Sequence, residues 1–196
     1  MRSGGVYLAL GDSITYGSTL TTTTQNGTYA AKIRKSIADN YGNCRLINKG
    51  ISGWKSGDFL TTPHYWSRVE ADLVTIHIGT NDCSNSVSAA TFQSNLDSIV
   101  KMIKKFNPNI EIILCSISRR GDAFSNSLDP YRTAVTTVAT NNNTLLCHFE
   151  DAWAQANTAT YTAVDLLHPN TTGHQALHDV LFPIIQTTKF VKKLGK

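Results

Sequence analysis

Apolar residues along this chain follow two rhythms. Short apolar runs at 6–10, 44–48, 73–78, 110–116 and 144–149 predict buried strands, the third rich in β-branched Val74, Thr75, Ile76 and Ile78. Between them, apolar positions recur at three- and four-residue steps. Phe92, Leu96, Ile99, Val100, Ile103 and Phe106 make one stripe, which predicts a helix stopped by Pro108. Weaker patterns predict helices over 29–40 and 130–141. A last helix begins near Thr172 and keeps Leu177, Val180, Leu181, Ile184 and Ile185 on one face, with a kink expected at Pro183. Strand and helix in alternation predict an α/β fold with a parallel sheet covered on both sides. Right-handed crossovers then gather the strand C-terminal ends along one edge, where ligands bind in such folds.

Composition narrows the picture. At 196 residues, the chain is expected to form one domain over 1–196. With 41% hydrophobic and 16% charged residues it is globular rather than disordered. The formal charge of +4 is concentrated at the end, where Lys189, Lys192, Lys193 and Lys196 predict a solvated basic tail over 189–196. No nucleic-acid signature accompanies it, so no nucleic-acid partner is expected. No apolar run reaches the roughly 18 residues of a membrane span, and the start MRSGGVYLALGDS lacks the form of a signal peptide. A soluble protein is expected, cytoplasmic or secreted after trimming. Cys44, Cys83, Cys115 and Cys147 are widely spaced and read as buried free thiols.

The chemistry follows the strands. Gly11-Asp12-Ser13 follows the first run, Gly50-Ile51-Ser52-Gly53 the second and Gly79-Thr80-Asn81-Asp82 the third; Asp165-Leu166-Leu167-His168-Pro169 precedes the last helix. Taken singly, each is ordinary turn or cap chemistry. Together, four polar segments converge on one edge. They supply what acyl chemistry needs: a nucleophile, a base oriented by a carboxylate, and donors for an oxyanion. Ser13 sits where a strand turns. His168 can take its proton, and Asp165, three residues earlier, can fix the His168 tautomer. The backbone N–H groups of Ser13 and Gly53 and the side-chain amide of Asn81 are the candidate oxyanion donors.

These segments resemble the blocks of the SGNH/GDSL hydrolase superfamily over nearly the whole chain: GDSIT at 11–15, NKGISG at 48–53, GTND at 79–82 and DLLHP at 165–169. Ile14 stands where the family's four-letter name has Leu. The resemblance implies a flavodoxin-like three-layer α/β/α sandwich with a five-stranded parallel sheet in the order 2-1-3-4-5. It also implies Ser13, Asp165 and His168 as a catalytic triad, Gly53 and Asn81 as oxyanion donors, and no cofactor. The G-x-S-x-G elbow of α/β-hydrolases is absent around Ser13.

Other candidates are weaker. His174 and His178 stand four apart on the last helix, read as surface residues, and lack a third ligand, so no metal site is expected. His77, inside the third strand, reads as a satisfied core or edge histidine, and His64 and His148 have no evident partner. Tyr16, after the nucleophile, and Trp54, after the oxyanion glycine, are the candidate substrate-binding residues. Tyr65-Trp66 suits either sugar stacking or loop packing. The threonine-rich stretch 18–28 is a candidate rim or lid beside Ser13. The GISGW and IGTND runs resemble carbohydrate-esterase branches of the superfamily, which implies a small-acyl esterase acting as a carbohydrate O-deacetylase. Alternatives are a lysophospholipase or thioesterase, a carbohydrate-binding module with an idle site, and acyl transfer to an alcohol acceptor. With His168 as base, ester turnover should rise with pH across the imidazole range, roughly pH 6 to 7. A rate profile flat from about pH 5 to 9 would count against His168 in that role.

Overall fold

The structure is a computed structural model, and it describes residues 4–20 and 25–195. Among them, the strands β1 (Gly5–Gly11), β2 (Cys44–Gly50), β3 (Leu73–His77), β4 (Glu111–Cys115) and β5 (Leu145–Cys147) form one sheet in the order β2-β1-β3-β4-β5. Every neighbouring pair is parallel. This is the order the motifs implied.

Alternation along the strands sends side chains to two cores. Val6, Leu8 and Leu10 of β1, with Val74 and Ile76 of β3, face one side. There they meet Phe59 of α3 (Ser56–Thr61), the apolar stripe of α5 (Ala89–Phe106) and the inner face of α6 (Asp129–Asn142). Tyr7, Ala9, Leu73 and Ile113 face the other side. They pack against α2 (Tyr29–Asn40), α8 (Thr171–Thr187) and α9 (Lys189–Leu194). Caps define the helix starts: Thr28 accepts from Ala31 N–H, Ser88 from Thr91 N–H and Asn170 from Gly173 N–H. The single-turn helices α1 (Ser13–Tyr16) and α4 (Thr80–Ser84) follow β1 and β3, and α7 (Thr158–Tyr161) precedes the loop that leads into α8.

Three expectations need correction. The end of the chain is not a solvated tail as far as Leu194: Thr188 caps α9, and its Phe190 and Val191 are buried against the sheet while the lysines point outward. Apolar burial on a two-turn helix outweighs the cluster of like charges. His174 is buried rather than on the surface, and its Nδ1 accepts from the Tyr29 backbone N–H at 3.2 Å. His77 is fully buried, and neither ring nitrogen has a hydrogen-bond partner among the described residues. Its ring lies instead edge-on to Phe149, with centroids 4.9 Å apart. The helix α8 runs on through Pro183. All four cysteines are buried free thiols, and Cys115 and Cys147 are register partners across β4 and β5. No helix among the described residues is long and apolar enough to cross a membrane.

Burial, with nearby His174 adding to it, lowers the His77 pKa from 6.5 to about 3. Below pH 6.5 the unfolded chain therefore takes a proton that the fold refuses, and this stability is lost as pH falls towards 3. His77→Leu nearly conserves volume and removes two unsatisfied nitrogens. It should raise stability by about 1–3 kcal/mol at neutral pH, with a wider margin over wild type at pH 5. Urea unfolding at the two pH values reads both.

Candidate active site

The site lies at the C-terminal ends of β1, β2 and β3, where the chain passes from β1 outward to β2 on one side and β3 on the other. Ser13 is the first residue of α1, and Asp12 is its cap, accepting from Ile14 N–H at 3.0 Å. That short helix rests on the end of β2. A Cβ on Gly50 would come within 2.3 Å of the Tyr16 nitrogen, so only glycine allows the approach. Asn48 fastens the same contact: its amide donates to the Thr15 carbonyl at 2.8 Å, and its oxygen accepts from Gly50 N–H at 2.8 Å.

His168 arrives from the opposite side on a loop that Asp165 organises. The Asp165 Oδ1 accepts from the backbone N–H groups of Leu167 and His168, both at 3.0 Å. Its Oδ2 lies 2.7 Å from His168 Nδ1, and His168 Nε2 lies 2.8 Å from Ser13 Oγ. Leu166, between them, adopts φ 55°, a conformation few side chains tolerate, and is pinned there by the Gly121 N–H donating to its carbonyl at 2.7 Å. Desolvation would raise the Asp165 pKa. The hydrogen bonds from the His168 ring and the two backbone N–H groups outweigh it and hold the carboxyl below its ordinary range. Asp165 thus stays ionised while it orients the ring.

On the other flank, Gly53 adopts φ 81°, and no atom lies within 4 Å of where a Cβ would stand. Its surroundings are open for a ligand to approach the backbone. The Asn81 side-chain amide donates to the Trp54 carbonyl at 2.9 Å, which fixes the amide and leaves its second N–H. Ser13, Asp165, His168, Gly53 and Asn81 therefore come together at one edge. Tyr16 is 56% exposed beside Ser13. Trp54 is half-buried, edge-on to Phe59 at 5.0 Å and tilted against Tyr65 at 6.1 Å. Trp66 is core, its indole N–H donating to the Phe59 carbonyl, whereas its neighbour Tyr65 is exposed and lines the site groove. Of the threonine-rich stretch, 21–24 lie outside the described residues; Ser18 bonds Ser52 at 2.9 Å and Thr19 donates to the Pro169 carbonyl at 3.0 Å.

Two carboxylates behind the donors escaped the sequence reading, which took Asp82 for a turn residue and passed over Asp12. Asp82 is buried and accepts from the Ser56 backbone N–H at 3.0 Å and the Ser56 hydroxyl at 2.5 Å. Asn95 of α5 donates to the same hydroxyl at 3.0 Å. This network ties α4, with Asn81, to the start of α3, just after Gly53 and Trp54. No local pattern announces a partner 26 positions away. Burial raises the Asp82 pKa and carries that of Asp12 from 3.8 to about 6. The second Asp12 oxygen has no hydrogen-bond partner among the described residues. Among them, too, no group of three or more His, Cys, Asp or Glu is arranged to hold a metal.

Fold and edge together define a parallel three-layer α/β protein of the hydrolase kind, with a serine, a histidine and an aspartate in one hydrogen-bonded line. The profile of the GDSL-like lipase/acylhydrolase family matches residues 9–176, and the chain belongs to that family. No curated protein matches its sequence. Among solved structures it is similar to Axe2, an acetylxylan esterase from Geobacillus stearothermophilus, with 24% identity and a TM-score of 0.78 over 96% of this chain and 98% of that one. It is also similar to LAE5, an alpha/beta hydrolase enzyme from the metagenome of Lake Arreo, Spain, at 20% identity and a TM-score of 0.77 over 100% and 98%. At such identities the likeness is one of fold.

Ser56→Ala removes one hydroxyl donor from a buried carboxylate and should lower stability by about 1–3 kcal/mol. Chemical denaturation of the variant measures this, and an unchanged midpoint would mean that the network holds nothing in place.

Proposed function

We propose that this member of the acylhydrolase family is a serine esterase that removes small acyl groups, acetyl above all, from carbohydrate hydroxyls. The observation that carries the reading is the continuous line from Asp165 through His168 to Ser13, with links of 2.7 and 2.8 Å. The open approach to Gly53 and the anchored Asn81 amide support it from the other flank.

Turnover runs in two steps. Ser13 Oγ attacks the ester carbonyl as His168 Nε2 accepts its proton, and Asp165 steadies the imidazolium. The oxyanion is held by the N–H groups of Ser13 and Gly53 and by the free N–H of Asn81; each such donor is worth about 3–4 kcal/mol in the transition state. His168 then gives its proton to the leaving sugar oxygen, and the acyl group stays on Ser13. A water deprotonated by the same ring attacks the acyl-enzyme, releasing the acid and restoring the Ser13 hydroxyl. None of these steps calls for a metal or cofactor. The acetyl preference rests on the open groove beside Tyr16 and Trp54, close in sequence to Ser13 and Gly53, whose aromatic walls suit a sugar ring better than a long acyl chain.

Hydrolysis of p-nitrophenyl acetate, butyrate and octanoate by wild type and Ser13→Ala tests this directly. Acetate should be turned over fastest, and Ser13→Ala should lose at least about 1,000-fold in kcat with the fold intact by circular dichroism. Substantial residual turnover would overturn the nucleophile; a preference for octanoate would overturn the acetyl assignment.

A further inference from the structure

Two surface grooves adjoin on the α3 side of the site and share one wall residue. The first, about 560 Å³, opens between Tyr16 of α1 and the loop after β2, with Trp54, His64 and Tyr65 as its far wall. The second, about 490 Å³, begins on the other side of His64 and runs between Arg68 and the outer face of α5, floored by Met102 and Phe106 and edged by Lys101 and Lys105. His64 is exposed on the turn that separates them. The first groove thus begins at Tyr16, three residues after Ser13, and meets the second at His64.

Charge along this track has one sign. No aspartate or glutamate lines either groove. Lys49 holds its ammonium 3.8 Å from the centre of the Tyr65 ring, and the Arg68 guanidinium lies 5.8 Å from that of Phe106. Lys101 is taken up by Asp97 at 2.6 Å and Lys55 by Asp58 at 3.5 Å. Lys49, Arg68 and Lys105 form no ion pair with a carboxylate among the described residues. Arg68 also borders a cavity of about 580 Å³ at the opposite edge of the sheet, where acids do line the wall. There Asp72 is committed to Val6 N–H and Glu111 to the start of α9. The track itself thus alternates aromatic or apolar faces with cations, of which Lys49, Arg68 and Lys105 have no carboxylate partner among the described residues.

We infer that the track binds an O-acetylated polyanionic glycan, whose sugar faces lie on the rings while its charges meet Lys49, Arg68 and Lys105. The inference rests on the esterase reading and names the substrate of that same site. A small neutral ester would fill the first groove and leave the second unused. An acyl chain would want an enclosed apolar channel; both grooves are open, and the second is edged with cations. The anionic groups are carboxylates of uronic sugars or phosphodiesters between sugars, since exposed ammonium and guanidinium groups accept both.

The test compares acetate release from four substrates: an O-acetylated polyuronate, an O-acetylated phosphodiester-linked glycan, O-acetylated xylo-oligosaccharides and p-nitrophenyl acetate. Each is measured with wild type and with the Arg68→Ser/Lys105→Ser double variant. At least one acidic polymer should show a lower KM than the neutral oligosaccharide, and which one identifies the anion. For that polymer the double variant should raise KM about fivefold or more at similar kcat, with p-nitrophenyl acetate unaffected. Added salt should raise its KM in wild type and leave that of the neutral substrates alone. Equal KM values for acidic and neutral glycans, or a double variant that behaves as wild type, would overturn the inference with the esterase reading intact. Loss of p-nitrophenyl acetate turnover in wild type, or its survival in Ser13→Ala, would strike the esterase reading instead.

Discussion

The active edge depends on how closely the backbone of α1 lies on the end of β2. Gly50 admits the Tyr16 nitrogen into space a Cβ would fill, and Asn48 bonds both partners of that contact. With α1 seated this way, the Ser13 hydroxyl lies 2.8 Å from His168 Nε2 at the sheet edge. Ile51 N–H then donates to the Gly11 carbonyl at 3.0 Å, which carries the chain towards Gly53 on the same side. Close backbone packing, fastened by the Asn48 side chain, therefore sets where Ser13 stands relative to Gly53.

Rigidity on both flanks comes from carboxylates that differ in environment and hence in the direction in which their pKa values move. Asp165 is partly exposed and hydrogen-bonded three times, so it remains ionised and holds a loop whose Leu166 is in a costly conformation. Asp82 and Asp12 are buried behind the donors and pushed towards their neutral forms by desolvation. Fixed dipoles that need no rearrangement are what stabilise developing charge. The Asp82–Ser56–Asn95 cluster performs that service for the loop bearing Gly53, and the Trp54 carbonyl does so for Asn81. Each flank is braced by contacts that do not themselves reach the reacting atoms.

The groove beside Tyr16 and Trp54 is built otherwise. Its walls come from the segment between β2 and β3, where exposed Tyr65 alternates with buried Trp66 and Phe59. The buried members lock the segment to α5, and the outward ones are left for a ligand. The proposed glycan owes its charge to Lys49, Arg68 and Lys105 along this side of the molecule.

Strand and helix positions could be read from the sequence because they depend on local periodicity, whereas the strand order came only with the resemblance of four motifs to the SGNH/GDSL blocks. The α2 and α6 helices and the five strands fall within a few residues of the periodic segments, and Ser13, Gly53, Asn81, Asp165 and His168 meet at one edge. What the sequence could not decide were interactions set by distance in space. Burial of His174 and His77, the role of Asp82 towards Ser56, the docking of α9 by Phe190 and the opposite fates of Tyr65 and Trp66 all depend on which surface faces which. A residue type carries its chemistry in the sequence; only packing determines whether water, a partner or nothing surrounds it, and with that its charge and its use.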